Sequence, residues 1–379
     1  MESSASQVFC SFEHDGSRVE INSLSSISPP NPAHTSSSTD AMIPLSGVYD
    51  VIRVAACLAV ILLHLSATIV MQRDLSETLS WHVANLIDAA TRWCVPVFVM
   101  LSGALLLDPQ KHAAPQRFWI KRMSRLLPAL IVWSAIYFAW RALFWKEPLT
   151  LATVFHDLAA GRPYIHLYFL FLIGGLYLIT PVLSKTAHAL KANQLRQAIV
   201  VIALLALGEN LFEFLTSSAF TIFVPYIAYY VAGWYCARMG TDRPAPYGLW
   251  LTGSIVMTTL LTAILVSMHG LDDRWSFYFY EDFSPTVLVM SVTVFMLILR
   301  GARHVPTMLA VAKRLAPLTL GVYLAHPIVV ELLRYGYYKI CPIMFRPLYY
   351  VPLTFVFTSA ITFGLIALMQ KIPGLRRIV

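Results

Sequence analysis

Residues 48–71, VYDVIRVAACLAVILLHLSATIVM, form the stretch that decides the fold of this chain. The stretch is apolar and longer than the roughly 20 residues that a helix needs to cross a bilayer. It nevertheless carries Asp50, Arg53 and His64. Arg53 and His64 lie eleven positions apart, so on a helix they fall within about 20° of one face and about 16 Å apart along the axis. One stripe of the predicted helix therefore presents a cation near one end and an imidazole three turns deeper.

Two interpretations of this stripe follow from its chemistry. Ionisable side chains in a membrane span usually face a cavity or a polar partner, because lipid cannot solvate them. Arg53 and His64 would then belong to a functional site. Alternatively, Arg53 extends to the lipid headgroups beside Asp50, and His64 is a hydrogen-bonded packing residue. The remainder of the sequence shifts the balance toward a functional site.

The composition places the chain among polytopic membrane proteins. Hydrophobic residues make up 58% of the 379 residues and charged residues only 13%, whereas soluble domains carry about 25% charged residues. The net charge of +8 does not indicate nucleic-acid binding, because the basic residues fall mostly in alternate short loops, as the positive-inside rule predicts. The five cysteines are scattered, so we expect neither a metal site nor a disulfide framework.

The chain divides into two predicted parts. Residues 1–44 are rich in Ser, Pro, Asn and Thr, which predicts a disordered cytoplasmic tail without a secretory signal. Residues 45–379 form an all-α integral-membrane domain with about ten spans, and the basic loops place both termini in the cytoplasm. The predicted spans are residues 48–71, 82–107, 126–145, 164–183, 198–215, 220–236, 247–268, 286–299, 315–333 and 349–369.

Candidate binding residues follow the first span. The segment PVFVMLSG places Ser102 and Gly103 in the second span, where small residues let another helix or a ligand approach the backbone. The next loop is the most basic one, and Arg122 and Arg125 near its end suit phosphate groups. The alternative interpretation of Ser102 and Gly103 is plain helix packing. The alternative interpretation of the basic loop is a positive-inside topology signal.

Histidine, tyrosine and glutamate residues recur in later spans. His166 and Tyr168 begin the fourth span near its predicted outer interface, where they are candidates to line an acceptor entrance or to join an aromatic belt. His326 lies in the ninth span and either faces the same cavity as His64 or packs with its ring bonded to a neighbouring carbonyl. Glu331 lies further along that span.

In their order along the chain, these motifs resemble the membrane-integral acyltransferase-3 family. Bacterial members of this family O-acylate surface polysaccharides and lipid-linked glycans. In one motif Tyr168 stands where the family usually has tryptophan. The stretches that carry the resemblance are Arg53 to His64 with Arg-x10-His spacing, PVFVMLSG (96–103), KRMSRLLP (121–128), HLYFL (166–170) and GVYLAHP (321–327).

The resemblance implies an O-acyltransferase that moves an acyl group, in the first place acetyl, from cytoplasmic acyl-CoA to a glycan hydroxyl. It implies that His64 is catalytic and that Arg53 holds the acyl donor. Histidine is well suited to remove a hydroxyl proton near neutral pH. We expect donor binding at Arg53, Arg122, Arg125, Ser102 and Gly103, and a cavity or acceptor-side role for His326, Tyr323, Glu331, His166 and Tyr168.

The partners expected on this interpretation are acyl-CoA, a glycan or lipid-linked glycan and membrane lipids, with no nucleic acid. Acetyl-CoA would act as a co-substrate, with no bound cofactor and no metal, in a bacterial inner membrane. The alternative is a multi-pass transporter in which Arg53, His64, His326 and Glu331 line a permeation or proton path. The basic loop beside the Arg-x10-His stripe favours the enzyme, and no inverted repeat is evident in the sequence.

Overall fold

The computed structural model of the protein describes residues 45–72, 75, 78–108, 114–212, 218–239, 245–340 and 347–379. The tail predicted for residues 1–44 lies outside the described residues. Within them the chain forms helices and turns and no β-strand. The α-helices are α1 (Leu45–Val70), α2 (Leu79–Thr91), α3 (Cys94–Leu106), α4 (Pro115–Leu143), α5 (Leu151–Ala159), α6 (Tyr168–Ala189), α7 (Ala192–Phe212), α8 (Ile227–Met239), α9 (Tyr247–His269), α10 (Pro285–Gly301), α11 (Pro306–Leu315), α12 (Thr319–Ile340) and α13 (Pro347–Met369).

The described residues contain nine helical segments that are long and apolar enough to cross a membrane. This confirms the predicted all-α polytopic membrane fold. The difference from the predicted count of about ten lies at the sixth predicted span, residues 220–236. There α8 has only 13 residues, or about 20 Å of helix, and turns occupy residues 219–226 before it. Pro225 lies in those turns and disfavours a helical conformation in the residue before it.

Helix α1 forms the centre of the bundle. It packs against the next two helices in the sequence, α2 and α3. It also packs against four helices from the C-terminal part of the chain, α10, α11, α12 and α13. Its apolar side chains Ile52, Ile61 and Leu65 are completely buried. The helix that carries Arg53 and His64 is therefore surrounded by protein over much of its circumference.

A close helix crossing joins α3 to α8. A Cβ atom at Gly103 would fall on the backbone carbonyl of Tyr230, and a Cβ at Gly233 would fall on that of Met100. Glycine at both positions therefore lets the two backbones touch, as small residues do in membrane helix pairs. Gly103 consequently serves helix packing in this fold.

A buried ion pair stabilises the contact between α1 and α2. Arg92 Nε donates a hydrogen bond of 2.6 Å to Asp88, which lies one helical turn before it. Ser66 of α1 donates a further hydrogen bond of 3.1 Å to Asp88, and the Arg92 guanidinium lies 3.8 Å from the ring centre of Tyr280. These contacts replace the solvation that lipid cannot supply.

A partly exposed ionic cluster around Arg141, here called the Arg141 cluster, holds the segment that leads to His166. Arg141 donates two hydrogen bonds to Glu147, of 2.7 and 2.6 Å, one of 2.6 Å to Asp157 and one of 3.1 Å to the Pro163 carbonyl. The hydrogen bonds from Arg141 hold the pKa of Glu147 below its ordinary value. Because this bidentate contact ties the end of α4 to the following loop, it fixes the position at which the chain enters α6.

Replacing Gly233 by alanine is expected to destabilise the protein by about 1–3 kcal/mol, because the added methyl group would overlap the Met100 backbone. The thermal unfolding midpoint of the detergent-purified protein measures this effect. Gly253→Ala is the matched control, since no heavy atom lies within 4 Å of a Cβ at that position. Equal midpoints for the two variants would contradict the close crossing of α3 and α8.

The Arg141 cluster predicts a specific loss of stability in acid. Because the pKa of Glu147 is lowered from 4.5 in the folded protein, its stabilising effect is complete above that pH and disappears as the pH falls below it. Arg141→Ala should lower the unfolding midpoint at pH 7 and make it less sensitive to pH between 5 and 3. Glu147→Gln, which removes the titrating carboxyl group, should also flatten this profile. An unchanged acid slope in both variants would refute the assignment.

Candidate active site

Three histidine rings from distant parts of the sequence meet beside α1. The ring centroid of His64 lies 5.1 Å from that of His326 and 6.5 Å from that of His166, and the last two are 5.7 Å apart. His166 and His326 are 1% and 0% exposed, while His64 is partly exposed. We call these three residues the histidine cluster.

Backbone carbonyls fix the orientation of two of these rings. His326 Nδ1 lies 2.8 Å from the Tyr323 carbonyl and 3.2 Å from that of Val322. His166 Nε2 lies 3.3 Å from the Leu324 carbonyl. Because a carbonyl only accepts, each of these nitrogens carries the ring hydrogen in the neutral form. The opposite nitrogens, His166 Nδ1 and His326 Nε2, are buried without a hydrogen-bond partner among the described residues and present lone pairs.

A cavity of about 260 Å³ lies next to the cluster. Three arginines line it, namely Arg53, Arg122 and Arg125, and Ser102 contributes to its wall. The remaining lining residues are mainly apolar. They are Phe98, Leu101, Leu105, Leu126, Phe169, Leu170, Ile173, Tyr177, Thr319, Leu320 and Tyr323. An apolar cavity with a cationic rim is suited to a ligand with an anionic head and an uncharged chain.

The arginines of this cavity differ in their surroundings. Arg53 lies 3.9 Å from Asp50, which leaves it partly neutralised. Arg122 has its guanidinium 5.8 Å from the ring centre of Tyr177, and its Nε is buried without a partner. Arg125 is exposed. Two of the three cations therefore retain donors that can be directed at an anion.

Tyr323 connects the cavity to the histidine cluster. It lines the cavity, donates a hydrogen bond of 2.5 Å to the His166 carbonyl, and packs 6.0 Å from the His326 ring. Phe98 and Phe169 pack against it with centroid distances of 6.5 and 5.3 Å. This aromatic trio lies where the cavity meets the cluster, and His64 itself does not line the cavity.

The other residues predicted for the acceptor side occupy two separate clusters. Glu331 accepts hydrogen bonds from the indoles of Trp140 and Trp145, of 2.6 and 3.0 Å, and from the hydroxyl of Tyr164. Tyr164 stacks on Tyr137, whose ring lies 4.8 Å from that of His166. Glu331 is thus linked to the histidine cluster through aromatic rings.

Tyr168 belongs to a different acidic cluster. Its hydroxyl group makes a side-chain hydrogen bond with Tyr226, and Tyr226 donates one of 2.5 Å to Asp282. The Tyr229 hydroxyl also donates a hydrogen bond to the backbone carbonyl of Asp282. Tyr168, at the start of α6, therefore has different partners from His166, which precedes α6 and contacts the other two histidines.

The structure brings some of the predicted site residues together and separates others from them. Arg53, Arg122, Arg125 and Ser102 line one cavity, whereas Gly103 faces α8. Sequence reasoning did not single out Phe98 and Phe169, although both lie inside the quoted motif stretches. Sequence reasoning also missed the residues that connect Glu331 and Tyr168 to their surroundings, since no motif marks them. These are Tyr137, Tyr164, Trp140, Tyr226 and Asp282.

Comparison with known families identifies the family of the chain. A family model described as an acyltransferase domain matches residues 48–369. The chain belongs to the acyltransferase-3 family. The matched region of this acyltransferase-3 protein includes every residue of the cavity and of the histidine cluster, and the acyltransferase role follows from it. No curated protein and no solved structure shows significant similarity to the chain.

Proposed function

We propose that this acyltransferase moves an acetyl group from acyl-CoA to a hydroxyl group of a surface polysaccharide or a lipid-linked glycan. The observation that carries the proposal is the cavity with three arginines that ends at Tyr323, where the histidine cluster begins. This arrangement supports a donor site and a base on adjoining sides of one aromatic side chain.

The donor side matches the chemistry of acyl-CoA. Arg122 and Arg125 bind the nucleotide phosphates, because guanidinium groups form strong, charge-assisted hydrogen bonds with phosphate. The apolar wall accommodates the pantetheine arm. Arg53 lies about 16 Å from His64 along α1, a gap that an extended pantetheine arm can span. The family resemblance assigns the acyl donor to Arg53, and its place in the cavity supports this assignment.

The reaction moves one proton from the acceptor hydroxyl to the leaving thiolate in two transfers, both through His64. His64 removes the proton of the acceptor hydroxyl as its oxygen attacks the thioester carbonyl, which is the step that histidine catalyses best near neutral pH. The tetrahedral intermediate then expels the CoA thiolate, and the proton on His64 passes to that thiolate. The products are the O-acetyl ester and free CoA, and His64 is regenerated in its neutral form.

The acceptor approaches from the end of the bundle that carries Glu331. Its aromatic neighbour Trp145 is exposed, and rings fixed by hydrogen bonds to a carboxylate offer stable faces for a sugar. The arginine end then faces the cytoplasm, in agreement with the positive-inside rule. On this proposal both termini lie in the cytoplasm, and the protein resides in the bacterial inner membrane.

The transporter alternative has less support. A permeation path requires polar groups that a passing solute can reach, yet Glu331 is already bound by two indoles and a phenol. Phe98, Phe169 and Tyr323 pack together at the end of the cavity. An aromatic closure of this kind suits an enzyme that keeps two substrates apart until both are bound.

Replacing His64 by alanine should lower acetyl transfer about 10²–10⁴-fold, the usual contribution of a general base. The assay is the release of CoA from acetyl-CoA by membranes that contain the protein, together with ester-bound acetyl on the extracted glycans. His188→Ala is the matched control, because His188 bonds to the Ser184 carbonyl and packs on Trp234 away from the cluster. Equal release by the wild type and His64→Ala would refute the proposal.

Replacing Arg122 and Arg125 by alanine should raise the KM for acetyl-CoA at least about tenfold, because each charge-assisted hydrogen bond contributes roughly 1.5–3 kcal/mol. The same double variant should use S-acetylpantetheine, which lacks the nucleotide phosphates, as well as the wild type does. Arg117→Ala is the control on the same helix, since Arg117 is exposed and does not line the cavity. A loss that is equal for both donors would contradict phosphate binding.

A further inference from the structure

The proposed base lacks a group that holds its ring. No side-chain hydrogen bond of the His64 imidazole is present within the described residues. A neutral histidine that acts as a base must keep one nitrogen free for the substrate and the hydrogen on the other. Catalytic bases are therefore usually oriented by a third group that accepts this hydrogen.

The carboxylates Asp88 on α2 and Glu331 on α12, two helices that pack against α1, already have donors of their own. Asp88 already accepts hydrogen bonds from Arg92 and Ser66. Glu331 is bound by Trp140, Trp145 and Tyr164. Among the described residues, the rings in contact with His64 are those of His166 and His326, so we consider these as acceptors for its hydrogen.

His326 has the properties of that acceptor. Its Nδ1 hydrogen is directed at the carbonyls of Tyr323 and Val322, so its Nε2 carries a lone pair. That Nε2 is completely buried and has no hydrogen-bond partner, which is costly unless a donor arrives. His64 is the nearer of the two rings beside it, at 5.1 Å against 5.7 Å for His166.

We propose that His326 is a positioning residue that accepts a hydrogen bond from His64 at its Nε2 atom. This contact holds His64 in the tautomer whose other nitrogen faces the acceptor hydroxyl. The proposal rests on the proposed function of His64 as the base. Catalytic hydrogen bonds are often long in unliganded proteins and shorten when substrate binds, which is consistent with two rings that are adjacent and unbonded.

The same contact stabilises the charged intermediate state. When His64 removes the hydroxyl proton it becomes an imidazolium, and its second N–H then forms a charge-assisted hydrogen bond to His326 Nε2. The proton taken from the hydroxyl leaves His64 for the CoA thiolate, so His326 gains and loses no proton over the cycle. A neutral imidazole performs this role without a permanent charge in the membrane interior, where an additional carboxylate would be costly.

Two substitutions at His326 separate this role from packing. His326→Gln keeps an acceptor oxygen near the position of Nε2, whereas His326→Asn reaches only the position of Nδ1. The kcat and KM for acetyl-CoA are measured as CoA release by membranes that supply the native acceptor. We expect Asn to lower kcat about 10–100-fold, as loss of an orienting partner does, with an unchanged KM. Gln should retain most of the wild-type kcat.

A double variant provides the second test. His64→Ala with His326→Asn should be no slower than His64→Ala alone, because a positioning residue has no effect once its base is absent. His188→Asn is the control, since His188 makes the same type of bond to a carbonyl four residues earlier. It should leave kcat unchanged.

The results of these experiments distinguish failure of the proposed role of His326 from failure of the proposed function itself. Any of three results would overturn the role of His326. These are a His326→Asn variant as active as His326→Gln, a rise in KM without a change in kcat, and an additive loss of activity in the double variant. Equal inactivity of Asn and Gln would also overturn it and would indicate a packing residue. If the wild type releases no more CoA than His64→Ala, the proposed function itself fails.

Discussion

Lipid cannot solvate a charged or polar side chain, and this constraint shapes the whole structure. Asp88 and Arg92 neutralise each other between α1 and α2, and Glu331 is bound by three aromatic donors. Among the buried polar atoms without a partner are three nitrogens of the site, in Arg122, His166 and His326. Unsatisfied buried groups call for a physical explanation. On the proposals above, a bound substrate supplies one for Arg122 and His64 supplies one for His326.

The central position of α1 explains how these groups come together. Its neighbours include α3, which contributes Ser102 to the cavity, and α12, which contributes His326 to the cluster. The Arg141 cluster restrains the chain just before His166, at the opposite end of the site. Helices from three regions of the sequence therefore form the site around one central helix, α1.

Much of the donor side could be predicted from the sequence, because it depends on local periodicity. The spacing of Arg53 and His64 places both on α1, and the basic motif places Arg122 and Arg125 near the start of α4. The meeting of His166 and His326 with His64 depends on tertiary packing, which no single helix encodes. Hydropathy likewise predicted a sixth span because it does not distinguish a long helix from a short buried one such as α8.

The separation between cavity and histidine cluster has a chemical consequence for the proposed reaction. A thioester beside an activated water molecule would be hydrolysed, so the base must meet the donor only when the acceptor hydroxyl is in place. Phe98, Phe169 and Tyr323 stand at this junction. Tyr323 is also bonded to the His166 backbone, so a ligand that moves the cluster acts on the junction too. In the proposed reaction, Tyr323 therefore connects the binding of the acceptor with the access of the acyl group to His64.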